Sequence, residues 1–183
     1  AACGAEPLGL AVTVLFPAGT RADEIKATMQ QLHEAASAVN VEIIGGHTEI
    51  TAAVTQTVIC STAVGIAEKH KYITSSGARP GDDVVVTKHV GLEGSAILAS
   101  DFEKQLARFV DPGIIRKAQR FFDLISVLPE SRIAAKYGAT AMHDITEGGV
   151  LGAAYEVAIA SGAGIEIREA LVPLLPETRQ ICE

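Results

Sequence analysis

The run Ala141-Met142-His143-Asp144-Ile145-Thr146-Glu147-Gly148-Gly149-Val150 brings imidazole, carboxylate, hydroxyl and two adjacent glycines together. Read as a short strand passing into a helix, it has the makeup of an anion-binding turn. A helix N-terminus offers unpaired backbone N–H groups and partial positive charge, and glycine lets a phosphate approach that backbone closely. Asp144 and Glu147 would repel a bare phosphate. They fit a phosphate that arrives with a divalent cation, because magnesium bridges carboxylate and phosphate oxygens. Asp144 is therefore an expected metal ligand, and His143, Asp144 and Glu147 are the expected catalytic groups. His143 is either an acid–base group near neutral pH or an imidazole hydrogen-bonded beside the turn.

Two further glycine-bearing segments follow expected strands: Gly45-Gly46-His47-Thr48-Glu49 and Lys88-His89-Val90-Gly91-Leu92-Glu93-Gly94. Gly-Gly after a strand more often marks a bulge or tight bend than a ligand loop. The first of these segments, like the 144–149 turn, also carries a threonine and a carboxylate, which turn geometry alone does not require. Lys88 either neutralises phosphate or is a solvated lysine at a strand end. A zinc site from His47, Glu49 and His143 is conceivable by ligand type, but no ligand spacing supports it. His33, His70 and His89 read as surface or loop residues. The phosphate motif G-x-x-x-x-G-K-[ST], the dinucleotide fingerprint G-x-G-x-x-G after a strand and the G-x-S-x-G nucleophile elbow are all missing from the sequence.

The elements that must position these residues alternate. Residues 8–16 form an apolar strand closed by Pro17 and Gly19. Thr20 is placed to cap the next helix with Asp23 three residues on, and Ile25, Met29, Leu32, Ala36 and Val39 share one helical face. A strand at 41–44 then enters the Gly45-Gly46 turn, and 54–66 alternates as a long strand. Residues 75–82, Ser-Ser-Gly-Ala-Arg-Pro-Gly-Asp, read as a domain junction. Beyond it come a strand at 83–88, a helix from 95 to about 100, and a helix opened by Asp111-Pro112 with Ile114, Ile115, Ala118, Phe121, Phe122 and Ile125 on its apolar face. Leu128-Pro129 opens another, ended by Gly138. The helix over 150–161 is apolar on nearly every side and is expected to be buried; Gly162 ends it, and 164–167 returns as a strand.

Of the 183 residues, 48% are hydrophobic, 20% charged and 4% aromatic, which is the composition of a globular chain with a sizeable core. The net charge of -7, without a lysine–arginine cluster or a stacking surface of rings, argues against a nucleic-acid partner. The apolar runs are too short to span a bilayer, no signal peptide opens the chain, and a cytoplasmic protein with no membrane partner is expected. Cys3, Cys60 and Cys182 are scattered and odd in number, so reduced thiols are expected. Cys182 reads as a packing residue in a helix that begins at Pro176. Both ends look cut: no initiator Met precedes the first strand, and the chain stops within a helix.

In order, Gly4-Ala5-Glu6-Pro7 before a strand, Gly45-Gly46-x-Thr48, Thr87-Lys88 before Gly91-x-x-Gly94, and Asp144-x-Thr146-x-Gly148-Gly149 resemble the aminoimidazole ribonucleotide synthetase (PurM-like) superfamily. Its members include HypE-like hydrogenase-maturation proteins, selenophosphate synthetase and thiamine-phosphate kinase, and the Gly-Gly-His-Thr-Glu and Met-His-Asp-x-Thr-Glu-Gly-Gly variants look most like the HypE branch. The resemblance implies an α+β fold with two domains. Residues 1–74 would be a partial N-terminal ATP-binding and dimerisation domain with a partial ferredoxin-like strand pattern. Residues 75–183 would be an incomplete C-terminal α/β half.

The resemblance also implies ATP and Mg2+ as cofactors, a small-molecule substrate, a homodimer and a maturation-protein partner. The implied activity is phosphorylation by ATP of an amide-type oxygen or similar nucleophile, with a selenophosphate synthetase or thiamine-phosphate kinase reaction as the variant within the family. Gly45, Gly46, Thr48 and Glu49 would form one wall of the nucleotide site, with Asp144, Thr146, Glu147, Gly148 and Gly149 across the cleft and Lys88, Gly91 and Gly94 contributing. His47 stands where relatives carry an acid, leaving Glu49 as the second expected metal ligand. The relatives' acidic glycine-rich segment and Asn-Asp pair are not in these residues, and without them nucleotide binding is expected to be weak. A thiol nucleophile at Cys182 is not carried over. The other class left open is a nucleotide-sensing or scaffold protein of the same fold without catalysis.

Overall fold

The computed structural model describes residues 2–183, so Ala1, the expected first residue of the N-terminal domain, lies outside the described residues. The chain divides into two compact units, one of residues 5–72 and the other of residues 2–4 with 73–183.

The first unit is a three-stranded sheet with one helix. β1 (Glu6–Pro17), α1 (Ala22–Ala38), β2 (Glu42–Thr51) and β3 (Val58–Ile66) follow in chain order, and β1 lies in the middle of the sheet order β2-β1-β3. β1 runs parallel to β2, with α1 as the crossover a parallel pair requires, and antiparallel to β3. The period-2 pattern of β1 decides the packing: Val12, Val14 and Phe16 are buried on one face and meet Ile25, Met29 and Leu32 of α1. The apolar stripe expected of the helix is thus the stripe it uses. Its N-terminus differs from expectation, because Thr20 Oγ1 donates to the Pro17 carbonyl at 2.7 Å and caps nothing; Arg21 stands at the N-cap position without a side-chain cap.

β2 overturns one reading of the sequence. Gly45 and Gly46 do not form a turn; the strand runs on through His47, Thr48 and Glu49. The ladder slips by one residue, pairing Leu10 with Ile43 and Ala11 with Gly45, so Ile44 bulges. Most of β2 and all of β3 are exposed, including Ile44, Ile50, Ile59 and Ile66.

The second unit is helical: α2 (Leu92–Asp101), the short α3 (Glu103–Leu106), α4 (Pro112–Gln119) running into a 3-10 turn at Arg120–Leu124, α5 (Leu128–Lys136), α6 (Gly149–Ser161), a second 3-10 turn at Glu169–Leu171, and α7 (Pro176–Cys182). Its core joins Leu92, Ala96 and Ala99 of α2 to Val110, to Ile115 and Ala118 of α4, and to Phe121 and Ile181. Alanine at three of these positions lets the helices approach closely. Asp111 caps α4 by accepting the Gly113 amide at 2.7 Å, with Pro112 at the first position. Phe122 and Ile125, expected on the same apolar face, are exposed because the chain tightens into the 3-10 turn and rotates them away.

Three expectations fail in this unit. Residues 83–88 and 164–167 carry no ladder; Val90 and Leu174 make the one isolated bridge among the described residues, and Val84 and Val85 are exposed, since a strand without a partner has nothing to satisfy its backbone. Helix α6 has no buried residue, and Leu151, Tyr155 and Ile159 form an exposed stripe at helical spacing. Cys182 is exposed, because α7 turns Thr178 and Ile181 inward and leaves its neighbour outside. Cys3 and Cys60 are also free and exposed. Among the described residues no helix is long and apolar enough to cross a membrane.

Candidate functional site

Residues 139–146 have no regular structure, so the expected strand before the turn is not formed. The turn itself is closed by the Gly149 amide donating to the Thr146 carbonyl at 2.9 Å, over Glu147 and Gly148. Gly149 has φ +59°, and a Cβ on Gly148 would lie 2.8 Å from Gly152 Cα, so the two glycines answer a left-handed backbone and a close approach to the first turn of α6. No side chain caps α6, and no acid occupies its first turn. The N-terminal amides of a thirteen-residue helix thus open beside Asp144, Thr146 and Glu147, all three exposed.

The scaffold of this turn comes from the segment read as a junction. The Met142 amide donates to the Thr74 carbonyl at 3.3 Å, and Ser75 Oγ donates to the Met142 carbonyl at 3.2 Å. Ser161 Oγ, at the end of α6, donates to the Ser75 carbonyl at 2.9 Å and accepts the Ala78 amide at 3.1 Å. The boundary between the two compact units falls just before this stretch, between residues 72 and 73, and its polar groups also tie the approach to the turn and the end of its helix to one loop.

The His143 side chain is largely buried, 18% exposed. Its Nδ1 donates to the Asp144 carbonyl at 2.6 Å, and its Nε2 lies 2.6 Å from Glu156 Oε2 on α6. A carbonyl and a carboxylate both accept, so the ring must carry both protons to satisfy both bonds. The Asp144 carbonyl bond first, and the Glu156 hydrogen bond and charge with it, outweigh the opposing cost of burial and raise the imidazole above the ordinary value of 6.5. His143 fastens the turn to the helix through both ring nitrogens, as the reading of an imidazole hydrogen-bonded beside the turn expects. Glu156 was missed; its only sequence signal is that it is the one charged residue in the apolar run of α6.

The sign of the linkage follows. A pKa raised by folding contributes stability that is complete below the unfolded value near 6.5 and disappears as pH rises through the higher folded value. The urea midpoint of the wild-type chain should therefore exceed that of Glu156→Gln at pH 6, and the gap should close as pH rises above neutral. A gap that stays constant from pH 6 to pH 9 would exclude the charged pair.

Lys88 does not stand free at a strand end. Its backbone has φ +55°, its Nζ hydrogen-bonds the Ser126 carbonyl, and Glu130 Oε1 of α5 lies 2.9 Å away, with both side chains largely buried. Burial opposes ionisation of Glu130, yet the bond from Lys88 and Glu130's own backbone N–H outweigh it and hold the carboxyl below its ordinary value. Lys88 is therefore not merely solvated. Gly91, at φ +72°, is the N-cap of α2, where a Cβ would meet Thr178 Cγ2 at 3.0 Å, and Gly94 lies inside the first turn of that helix. Helix α2 therefore begins three residues earlier than expected, and the second glycine segment is a helix start held by Ser95 Oγ, which donates to the Gly91 carbonyl at 2.7 Å and lies 3.1 Å from Thr178 Oγ1, whose hydroxyl can donate to it.

In the first unit, Thr48 and Glu49 lie on β2 with His47, whose Nε2 is 3.3 Å from Glu49 Oε2; strand spacing puts positions 47 and 49 on one face. Gly46, with φ +138°, is required by its neighbour: a Cβ there would lie 1.9 Å from the Val12 carbonyl oxygen. The bulge reading of Gly-Gly is the one the strand takes. Among the described residues no three His, Cys, Asp or Glu side chains come together as a preformed metal cage, so zinc held by His47, Glu49 and His143 has no support. Magnesium makes a smaller demand, one or two carboxylates with the remaining positions on water and phosphate. Asp144 meets it, since its Oδ1 is 3.8 Å from His143 Nδ1, too far for a hydrogen bond, and its side chain is half exposed.

The family profile described as the AIR synthase related protein, N-terminal domain, matches residues 1–67, and that of the C-terminal domain matches residues 79–181. The chain belongs to the AIR synthase related family. Within it, the carbamoyl dehydratase HypE of Rhodobacter capsulatus is 27% identical over 182 residues, 98% of this chain and 51% of that protein. The thiamine-monophosphate kinase of Bacillus subtilis is 29% identical over 176 residues, 95% of this chain and 52% of that protein. A crystal structure of the hydrogenase maturation protein HypE in complex with ATP shares the fold at a TM-score of 0.77 and 21% identity, covering 99% of this chain and 52% of that one. The chain spans about half the length of the curated relatives it matches. These relatives bear out a PurM-like chain close to HypE, with a mixed α+β fold.

Proposed function

We propose that the protein carrying this chain is an ATP-dependent enzyme of the HypE type, phosphorylating an amide-type oxygen or similar nucleophile of a small substrate. The observation that carries the reading is the uncapped N-terminus of α6 beside the exposed Asp144, Thr146 and Glu147. In this proposal the amides opening α6 and the Gly148-Gly149 backbone receive phosphate oxygens, Thr146 Oγ1 donates to them, and Asp144 holds magnesium. Bound magnesium would withdraw charge from the transferring phosphoryl group, the main electrostatic demand of such a reaction. His143, held as a cation against Glu156, adds positive charge beside the turn and fixes its orientation. On β2 of the first unit, Thr48 is proposed as a nucleotide-binding side chain and Glu49 as a metal ligand. Support comes from the ATP complex of a HypE with this fold and from the kinase among the relatives. A homodimer through the exposed apolar residues of β2 and β3, and a maturation-protein partner, belong to the same reading.

Titration calorimetry of the chain with ATP, with and without magnesium, is the test. Binding that requires magnesium is expected. Equal heats with and without the metal would remove Asp144 from its role, and binding by the full-length protein without ATP turnover on any carbamoyl or amide substrate would favour a nucleotide sensor over an enzyme.

A further inference from the structure

We propose that the loop at 74–82 is a positioning element for the phosphate turn, acting chiefly through Asp82 on Thr140; this rests on the phosphate-binding reading above. The 139–146 stretch supplies none of its own regular hydrogen bonding, yet it must present Asp144 and the start of α6 in one geometry. Asp82 Oδ2 accepts Thr140 Oγ1–H at 2.6 Å and the Arg79 amide at 2.9 Å, so one carboxylate oxygen fastens the loop to itself and to the start of the stretch. The Thr140 bond first, then the Arg79 amide, holds the Asp82 carboxyl below its ordinary value, so it accepts as an anion at any physiological pH. Gly77 abuts the same place: a Cβ on it would lie 1.8 Å from the Thr140 carbonyl oxygen. Ser75 and Ser161 complete the clasp, at Met142 and at the end of α6.

Apart from the Arg79 amide bond within the loop, these contacts join segments at least 58 residues apart in sequence, and they end on the stretch leading into the turn or on the last residue of its helix. None touches the turn from Asp144 to Gly149. A loop that grips both ends of the turn-and-helix segment while leaving its middle open fixes where the phosphate-facing groups point without competing for the ligand. Asp82 is in this sense a positioning residue and not a ligand.

The test uses the whole chain with Thr140→Val and Thr140→Ser, read by amide hydrogen exchange and by magnesium–ATP calorimetry. Valine keeps the shape and removes the donor, and loss of one charge-assisted hydrogen bond corresponds to roughly a tenfold change. In Thr140→Val, amides of residues 141–149 should exchange about tenfold faster and the Kd for magnesium–ATP should rise about tenfold, while α2 and α4 keep their protection. Thr140→Ser should restore both. Exchange and affinity unchanged in Thr140→Val would overturn the positioning role. If exchange responds as expected but the wild-type chain binds no magnesium–ATP, the phosphate reading falls and the role assigned to Asp82 falls with it.

Discussion

Gly46→Ala should unfold the sheet of the first unit, whereas Gly45→Ala, one residue away, should be nearly silent. The two glycines look equivalent in sequence, and the backbone separates them. A methyl group on Gly46 would sit 1.9 Å from Val12 O and 2.5 and 2.7 Å from Val12 C and N, on a residue with φ +138°. Every one of those atoms is backbone of the central strand, which is paired on both sides and cannot recede. Relief would require breaking the Val12–Gly46 register and with it the buried row Val12, Val14 and Phe16 against α1. Backbone strain of about 1–3 kcal/mol plus loss of that packing puts the cost above roughly 4 kcal/mol, a large part of the stability of a small unit. A Cβ on Gly45 meets nothing within 4 Å, so its substitution should cost no more than about 1 kcal/mol. Urea denaturation followed by exchange of β1 amides separates the two, and equal midpoints for the variants would contradict the close approach.

The contrast shows what the sequence carried and what it withheld. Local rules were readable. The apolar run of β1, the stripe on α1, the Asp111 cap and the glycines that end α5 and α6 depend on neighbours within a turn or two, and each formed. Errors came where a distant segment decides. Gly45-Gly46 has the composition of a turn, but the reason for Gly46 is the backbone of Val12, reached through the crossover of α1. Residues 83–88 have the β-branched content of a strand, yet strandedness is a property of a pair, and no ladder forms on them. The hydrogen bonds that 75–82 makes to Thr140, Met142 and Ser161 likewise left no local pattern in the sequence.

The same logic sorts the candidate site. Asp144, Thr146 and the two glycines were recognisable because helix-start chemistry is local, and the fold keeps them at the start of α6. The partners that set the electrostatics were not. Glu156 and Glu130 take His143 and Lys88 as ion-pair partners from other elements, contacts that no local sequence pattern announces.

Asp144→Asn should abolish the magnesium dependence of nucleotide affinity while leaving the fold intact. Asp144 makes no short hydrogen bond to His143, whose Nδ1 is committed to the Asp144 backbone carbonyl, and that bond is untouched by the substitution. Its side chain is half exposed, so asparagine is accommodated without a buried donor left over. Melting should move by less than about 2 °C, in keeping with a surface substitution of within 0.5 kcal/mol. The lost charge matters only to a cation: a hard metal held by one or two carboxylates binds far more weakly to a neutral amide, and removal of a direct ligand should exceed the 10–100-fold loss typical of an outer contact, on the order of 100-fold or more. The nucleotide alone is affected in the opposite sense, since asparagine relieves the repulsion between Asp144 and phosphate. ATP without magnesium should therefore bind Asp144→Asn at least as well as it binds wild type, and the two curves should cross as magnesium is added. Calorimetry across a magnesium series reads both effects at once, and a variant that loses affinity equally with and without the metal would show that Asp144 serves the turn and not the cation.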